Sequence, residues 1–470
     1  MAGTLTQLQD LVKALEAGSY NSAPGQLAQG SSLMMEDLSP VMHNVTFTDK
    51  TIILQKMLKV RPTKSTLYQY DRQLSYGIFG GSAQIEGAVG QEETSDFVRI
   101  VVPISYYSHI RRVTVVANMV ATVDGQKAED RAAADAAMKI AGDIEFALFR
   151  GKADFSNVGV FDGNPLAIPA LPNILGVDPQ VRQSDNLSNS QDLMFNEFGS
   201  NLSVVLPVGG TLAQSNIEDA AVRSAMNMGN ADKLLVAPLV LAAYNKIAFQ
   251  KERIFLAGSP QDSTSADLRR QWVSGGVVQL DASRFLSGKT QPARQRLNGP
   301  SSPTIAVAQA AGSTNFASGQ IYTYFVTAQN VIGESAASAV GSGNPITISA
   351  AGQQVTVTIT PAGSGTTSQW FNVYRTNPGG STASARFIGR VANSGSATTV
   401  FTDLGNKLPG FVTGFLIQGD TMEMGELAPY SRLKLAVTDL TMPEAHFRFV
   451  TLAVLQPRKN VLLDNLIGNL

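Results

Sequence analysis

The sequence contains no cysteine and only three histidines among its 470 residues. Without cysteine the chain can form no disulfide, no thiolate metal site and no thiol nucleophile. His43, His109 and His446 lie far apart and none belongs to an H-x-x-x-H spacing, so a zinc site or a histidine-based relay has no local basis. We therefore predict no catalytic residue, no cofactor site and no metal site.

Net charge and long apolar runs are also missing. The 36 Lys and Arg residues are balanced by 37 Asp and Glu residues, which gives no basis for non-specific binding to DNA or to an anionic membrane. No apolar run reaches the roughly 20 residues that cross a bilayer, and the N-terminus lacks a charged region followed by an apolar core. These features predict a protein that is neither exported nor inserted in a membrane.

The strongest pattern present is an alanine-rich helix over about 127–150. Strong helix formers fill its interior, and Gly151 follows where a left-handed C-terminal residue is expected. At 1.5 Å per residue such a helix is roughly 36 Å long. An apolar stripe at helical spacing predicts close packing of one face against a sheet; the residues of this stripe are Ala133, Ala137, Ile140, Ala141, Ile144 and Leu148.

Two β-rich runs enclose a glycine-spaced, acidic segment before this helix. Residues 66–72 and 97–107 are β-branched and aromatic, which predicts two strands. The segment between them, 76–96, contains neither of the glycine-rich phosphate-binding motifs. A connection of about twenty residues with little core of its own is typical of a functional or partner-bound loop. A further β-rich run is predicted at 110–123.

Helices are predicted near the N-terminus and again within residues 205–285. An amphipathic helix is predicted at 4–16, followed by an arm, and it can bury its apolar stripe only on the body or on a neighbour. Alternating strands and helices over 205–285 indicate an α/β layer. Its first helix begins after Thr211 and ends at Gly229, and the predicted apolar face comprises Leu212, Ile217, Ala220, Ala221, Ala225 and Met228.

Residues 301–410, called the inserted module below, differ in being poor in charge and rich in Thr, Ser, Gly and Val. Short alternating runs about ten residues apart predict a β-sandwich. Residues 322–335 resemble the late strands of fibronectin type III and related immunoglobulin-like modules, and 370–375 resembles a middle strand, so the strand order departs from an intact module. After residue 410 the mixed helix and strand pattern of the first 300 residues returns, with an apolar run at 449–455 that is expected at the centre of a sheet. The module is therefore an insertion within a domain.

The order of these elements resembles a tailed-bacteriophage major capsid protein, with the Hong Kong phage-type capsid fold that is shared with encapsulins. The resemblance covers roughly 1–300 and 410–470 and includes the arm, the long β excursion, the alanine-rich helix and the closing strand. It also rests on three local motifs, which are Leu33-x-x-Glu36-Asp37-Leu38, Asp143-Ile144-Glu145-x-Ala147-Leu148 and Gln456-Pro457-Arg458-Lys459-Asn460-Val461.

This resemblance implies an α+β capsid fold, with an inserted all-β immunoglobulin-like sandwich that projects from the outer surface. The implied divisions are an N-terminal arm (1–60), an extended loop with peripheral-domain strands (61–122), a spine helix with the peripheral domain (123–204), an axial domain (205–300), the inserted module (301–410) and a return to both domains (411–470). Each subunit would lay its loop on a neighbour.

The function that the resemblance implies is self-assembly, as hexamers and pentamers, into the icosahedral head shell of a tailed phage. The shell would enclose double-stranded DNA without sequence-specific binding, and the protein would be part of the virion after assembly in the host cytoplasm. A separate scaffold protein and a portal are implied as partners, and a cement protein is left open. Covalent crosslinking is not carried over, because its Lys and Asn partners cannot be located in this sequence.

The acidic segment 76–96 is the candidate intersubunit site. We predict that one or more of its carboxylates meets basic groups of an adjacent subunit. The acidic candidates are Glu86, Glu92, Glu93 and Asp96, and the basic candidates are Arg61, Lys64, Arg111 and Arg112.

Two other classes of protein remain as alternatives. An enzyme has little support, because no pair of carboxylates belongs to a recognisable motif. A surface adhesin or carbohydrate-binding protein would explain the module, but it predicts export and usually several tandem modules. The size distribution separates these classes, since a shell protein should form capsomers or particles, whereas an enzyme or adhesin should remain a monomer or small oligomer.

Overall fold

The computed structural model describes residues 48–76, 82–90, 92–120, 127–151, 174–185, 202–249, 270–287, 300–312, 315–330, 333–363, 367–437 and 439–468. The predicted helix at 4–16, the arm that follows it and the Leu33–Leu38 motif lie outside these residues. The described chain forms two compact units. The smaller contains residues within 111–135 and 434–444, and the larger contains the rest.

The helices of the described residues are α1 (Leu54–Met57), α2 (Val115–Met119), α3 (Ala128–Arg150), α4 (Val177–Asp185), α5 (Gln214–Met226) and α6 (Pro238–Phe249). The strands before the inserted module are β1 (Lys59–Pro62), β2 (Leu67–Ser75), β3 (Asp96–Pro103), β4 (Ser105–Thr114), β5 (Val205–Gly210), β6 (Lys233–Val236), β7 (Arg270–Val273) and β8 (Gly276–Ala282).

The strands of the module are β9 (Thr304–Ala311), β10 (Ile321–Tyr322), β11 (Tyr324–Gln329), β12 (Ile346–Thr347), β13 (Gln353–Thr360), β14 (Trp370–Arg375), β15 (Arg386–Ala392) and β16 (Thr399–Asp403). The strands after it are β17 (Val412–Ile417), β18 (Met422–Lys434), β19 (Thr441–Val454) and β20 (Val461–Leu466). The fold is therefore a mixed α+β one, in which strands outnumber helices among the described residues.

Two sheets organise the chain outside the module. A six-stranded sheet has the order β5-β20-β17-β6-β8-β7, and a four-stranded sheet has the order β1-β18-β19-β4. In the first sheet β20 runs parallel to β5, and β6 runs parallel to β8. Strands β2 and β3 form a separate antiparallel hairpin. The strand and helix alternation that the sequence predicts over 205–285 thus contributes β5 at one edge of the six-stranded sheet and β6, β8 and β7 at the other.

The long helix α3 confirms the strongest sequence pattern. Of the predicted stripe, Ile140, Ile144 and Leu148 are buried, whereas its alanines are half-buried. Phe149 lies against Phe415 of β17 with ring centroids 5.3 Å apart, so the C-terminal half of α3 packs on the six-stranded sheet. The left-handed conformation expected of the glycine after the helix is wrong. A Cβ there would lie 2.1 Å from the Ile174 carbonyl oxygen, so close backbone approach, not φ, requires the glycine.

The β-rich run predicted at 110–123 is wrong in its second half. Strand β4 ends at Thr114, whose hydroxyl accepts a hydrogen bond from the Ala117 N–H over 3.2 Å and caps helix α2. Val115 and Val116 are β-branched and favour a strand locally, but the cap allows the helix to form. Residues 121–126 lie outside the described chain.

The predicted apolar face of the helix after Thr211 is right over its first turns and wrong at its end. Ile217, Ala220 and Ala221 are buried, but Ala225 and Met228 are exposed. Ala225 is still within the helix, which ends at Met226, but it lies one position beyond the buried Ser224 and so faces away from the core. Met228 lies past the end of the helix, with a φ of +57°.

Two strands, not one, close the chain. The run 449–455 is central, since β19 lies between β18 and β4. The chain then turns at Pro457–Lys459 and enters β20, which lies between β5 and β17. The sequence pattern predicts a single closing strand that ends at Gln456–Val461, because no glycine or long polar stretch separates β19 from β20 there.

The inserted module consists of strands with its own core. Strands β11, β14 and β15 form one antiparallel sheet, and β16, β13 and β9 form another. Tyr324, Val326, Val355, Val357 and Phe371 are buried in a cluster separate from the main core. The strands follow the alternation in the sequence, and the relation to immunoglobulin-like modules stays a prediction.

Candidate subunit-contact surface

The hairpin of β2 and β3 has one covered face. Tyr68 pairs with Val102 and Tyr70 pairs with Ile100 across the two strands, so these four side chains point to the same side. Tyr68, Tyr70 and Val102 are buried in a cluster with Ala453. The base of the hairpin therefore packs on the end of β19.

Hydrogen bonds fasten this covered face. The Tyr70 hydroxyl donates to the carbonyl of Val454 over 3.1 Å, and the Arg72 guanidinium donates to the same carbonyl over 2.8 Å. The Tyr68 hydroxyl donates to the Glu423 carboxylate on β18. Burial, together with this hydrogen bond and the charge of Glu423, raises the pKa of Tyr68 to about 12. The hydroxyl therefore remains a donor at neutral pH.

The opposite face of the hairpin is exposed and mixes apolar with polar side chains. Leu67 is 43% exposed, Val101 is 47% exposed and Phe97 is 66% exposed. On the same face, the Arg99 Nε lies 2.8 Å from the Asp71 Oδ1 in an ion pair. The hydrogen bond from Arg99 lowers the pKa of Asp71. A two-stranded ribbon by itself is at best marginally stable in water. This face can gain stability by burial against another surface.

The far end of the hairpin is more exposed still. Tyr76, Ile85 and Val89 are each more than four-fifths exposed. The Ala88 N–H donates to the Ile85 carbonyl over 3.1 Å, which closes a tight turn in which Gly87 has a φ of +87°. Such a turn favours glycine, so part of the glycine spacing in this segment has a local structural reason.

The four predicted acidic residues lie on this exposed end. Glu86 is in the tight turn, Glu92 and Glu93 precede β3, and Asp96 begins it; all four are exposed. Within the described residues, Glu86, Glu92 and Glu93 make no ion pair. Their pairing with a second subunit stays a prediction.

The four predicted basic residues occupy different elements. Arg61 on β1 lies 3.6 Å from Glu423 and donates to the Tyr68 hydroxyl over 3.3 Å, so it already has partners in its own chain. Lys64 is exposed between β1 and β2. Arg111 is half-buried and Arg112 is exposed, both on β4.

Sequence reasoning missed the role of Glu145, although it lies inside one of the three motifs. Its carboxylate is fully buried and accepts the N–H groups of Ile53 (3.0 Å), Leu54 (2.8 Å) and Gln55 (2.8 Å). These donors at the start of α1 have no acceptor within the helix. Glu145 thus fastens α1, which lies at the end of the predicted arm (1–60), to helix α3. Burial raises the pKa of Glu145, and the three N–H donors only partly offset it.

The motif at 456–461 also has a structural role. The buried guanidinium of Arg458 donates to the Asn227 side chain and to the Ser184 carbonyl, each over 3.3 Å. Asn460 accepts the Gln418 N–H over 2.9 Å. These bonds hold the turn between β19 and β20 against α4, α5 and β17. The motif is visible in the sequence, but the sequence alone does not show that Arg458 and Asn460 are buried.

Neither a metal-binding cluster nor a helix that could cross a membrane occurs in the part of the chain that the structure describes. Over these ranges, no group of three or more His, Asp or Glu side chains is arranged to hold a metal ion. In the same residues, no helix is long and apolar enough to cross a bilayer. The candidate contact surface consists of the exposed face and the far end of the β2–β3 hairpin.

The chain has a limited sequence similarity to known proteins. No family model matches the chain. The chain is 23% identical over 211 residues to the major capsid protein of Staphylococcus phage K, and this match covers 43% of the chain and 44% of that protein. The chain is similar to phage major capsid proteins. The major capsid protein of Staphylococcus phage S25-3 gives the same identity and coverage. The match thus spans less than half the length of these curated relatives.

Solved capsid structures show a looser similarity. The capsid of a native GTA particle superposes with a TM-score of 0.47 at 12% identity, covering 96% of this chain and all of that one. The mature capsid of bacteriophage PhiM1 gives 0.43 at 10% identity, covering 95% and 96%. The SrpI encapsulin of Synechococcus elongatus PCC 7942 gives 0.39 at 9% identity, covering 93% and 98%.

Proposed function

We propose that this chain is the major capsid protein of a tailed phage. It would assemble as hexamers and pentamers into an icosahedral shell around double-stranded DNA, as part of the virion, after assembly in the host cytoplasm. The observation that carries the proposal is the β2–β3 hairpin, which is fastened at its base and bare on its other face. The sequence match to phage major capsid proteins supports it.

The proposed mechanism couples burial to assembly. A hairpin with an exposed apolar face gains free energy when that face lies on a neighbouring subunit, at about 25 cal/mol per Å² of apolar area buried. Repeating one such contact around a closed symmetric ring adds small contributions into a stable shell. No catalytic step, cofactor or metal is part of this proposal, and a balanced net charge suits a shell that encloses DNA without binding its sequence.

The roles of the individual segments are proposed by the same resemblance. The arm (1–60) and the hairpin region (61–122) would reach neighbours, α3 would be the spine of the peripheral domain (123–204), and 205–300 with 411–470 would form the axial domain and its return. A separate scaffold protein and a portal would be partners, with a cement protein left open. The module (301–410) would be an immunoglobulin-like ornament on the outer surface.

Reversing the charges of Glu92 and Glu93 together should lower the yield of shells by about tenfold or more, because like charges across an interface cost several kcal/mol. The yield is measured by sedimentation of assembled material at fixed protein concentration. A matched control reverses two exposed acids outside the hairpin, Asp135 and Asp420. Shells of normal yield and stability from the Glu92→Lys/Glu93→Lys chain would sink the proposed contact. Restored yield on reversing Arg61, Lys64, Arg111 or Arg112 in the same chain would identify its partner.

Replacing residues 303–408 by a short linker should leave assembly intact, because the module has its own core and the other strands pair without it. Electron microscopy of the shortened chain should show shells of the same diameter without outer projections. Soluble, folded protein that no longer assembles would mean that the module is a structural part of the shell.

A further inference from the structure

The inserted module rejoins the body through residues 404–411, and this crossing is bound to β20. The Leu408 N–H donates to the Asn465 side-chain oxygen over 2.8 Å, and the Asn465 amide donates to the Asn406 carbonyl over 3.0 Å. The Lys407 ammonium group forms an ion pair with the Asp464 carboxylate. Three consecutive residues of the crossing are thus held by two consecutive residues of one strand.

The backbone of β20 is irregular where it makes these contacts. Asn465 has a φ of +61°, a conformation that few residues other than glycine adopt and that Asn tolerates better than most. The register of β20 shifts at this residue against β5, and a shift occurs opposite it in the pairing with β17. Such bulges re-aim a side chain out of the regular alternation of a strand. Here the bulge places Asn465 against the crossing.

The same contacts continue into both bodies. Asp464 also pairs with Arg182 of α4 at 3.2 Å, which anchors it in the main body. On the other side, the carbonyl of Lys407 accepts a hydrogen bond of 2.7 Å from Arg375, a buried residue of the module core. The crossing therefore connects a fixed point of the body to a fixed point of the module.

We propose that Asn465 and Asp464 are positioning residues that hold the inserted module at one fixed angle to the six-stranded sheet. A module joined by crossings without such bonds is expected to move relative to its host domain. The module would instead be presented rigidly. This inference goes beyond the proposed function and does not depend on it, since the contacts lie within a single chain.

The absence of cysteine makes a direct test simple. Ser215→Cys on α5 and Ser381→Cys in the module are both exposed positions and give two unique sites for spin labels. Double electron–electron resonance on labelled chain diluted with unlabelled chain measures the distance distribution within one molecule. The parent chain should give a single narrow distribution.

Two variants then remove different contacts between the crossing and β20. Asn465→Gly keeps the positive φ but removes both side-chain bonds, and Lys407→Met removes the ion pair without changing β20. We expect the distribution to broaden by about twofold or more in each. The matched control is Asn393→Gly, since the side chain of Asn393 bonds only within the module.

A broadened distance distribution in either folded variant, with a narrow one in the control, supports the proposal. Narrow distributions centred on the parent distance in both variants would overturn it. If Asn465→Gly does not fold, as judged by circular dichroism, Lys407→Met alone decides. Broadening in the Asn393→Gly control equal to that in the variants would also overturn the proposal, because the motion would then not arise from the crossing.

Discussion

Glu145→Ala should lower the free energy of unfolding by about 3–5 kcal/mol, because it leaves the three N–H groups at the start of α1 without their buried acceptor. Chemical denaturation measures this loss. Hydrogen exchange should show that protection is lost first at residues 49–58. Asp135→Ala is the matched control, since Asp135 is an exposed acid on the same helix. It should leave both readouts close to those of the parent chain.

Glu145→Gln supplies a pH signature of the same site. It retains one acceptor oxygen, so its cost should be smaller, about 1–2 kcal/mol. Burial raises the pKa of Glu145 in the folded chain above its value in the unfolded chain. The protonated side chain therefore contributes stability that is fully present below the ordinary carboxyl pKa and is lost as the pH rises through the raised pKa. The advantage of the parent over Glu145→Gln should therefore decrease as the pH rises above the ordinary carboxyl pKa of about 4. An advantage that grows over this range would contradict the proposed environment.

Asp403→Ala should destabilise the inserted module by about 3–5 kcal/mol, because it leaves the Arg375 guanidinium buried without its partner. Asp403 also accepts the Tyr324 hydroxyl over 2.9 Å, and Arg375 lies over the rings of Phe316 and Tyr322 at 5.0 and 5.2 Å. Calorimetry should show the transition of the module shifted to lower temperature. The transition of the rest of the chain should change little, since the two cores are separate.

Two further variants test the role of the buried Arg375–Asp403 pair. Replacing the pair together by apolar residues, as Arg375→Met with Asp403→Leu, should cost less than Asp403→Ala, because no unpaired charge remains buried. Asp71→Ala breaks an ion pair of similar length on the exposed face of the hairpin and should leave stability nearly unchanged. A double variant less stable than Asp403→Ala would contradict the assigned role of the pair.

Local patterns in the sequence predicted the parts of the fold that local forces determine. The alanine-rich run predicts α3 to within one residue at its start, and the alternation in 301–410 predicts the strands of the module. The β2–β3 hairpin follows from its two β-branched runs. The exposure of the far end of this hairpin also follows from the sequence, because the long acidic connection 76–96 has few residues that could form a core.

The contacts that fix the candidate site could not be predicted in this way. Tyr70 bonds to the carbonyl of Val454, 384 positions away, and Tyr68 bonds to Glu423, 355 positions away. Outside the site, Glu145 likewise bonds to backbone groups about 90 residues away. Nothing local distinguishes these polar residues from solvated ones. Helix α2 was missed for the opposite reason, since the cap by Thr114 outweighs the strand preference of Val115 and Val116.

The central claim is that this subunit leaves apolar surface uncovered until it meets copies of itself. Sedimentation velocity of the purified full chain, followed by electron microscopy of the fractions, tests it most directly, with and without a scaffold protein. The account predicts capsomers or closed shells, with the β2–β3 hairpin protected more strongly from hydrogen exchange in the assembled fraction than in the monomer. A compact monomer at every concentration, with the hairpin equally protected, would contradict it.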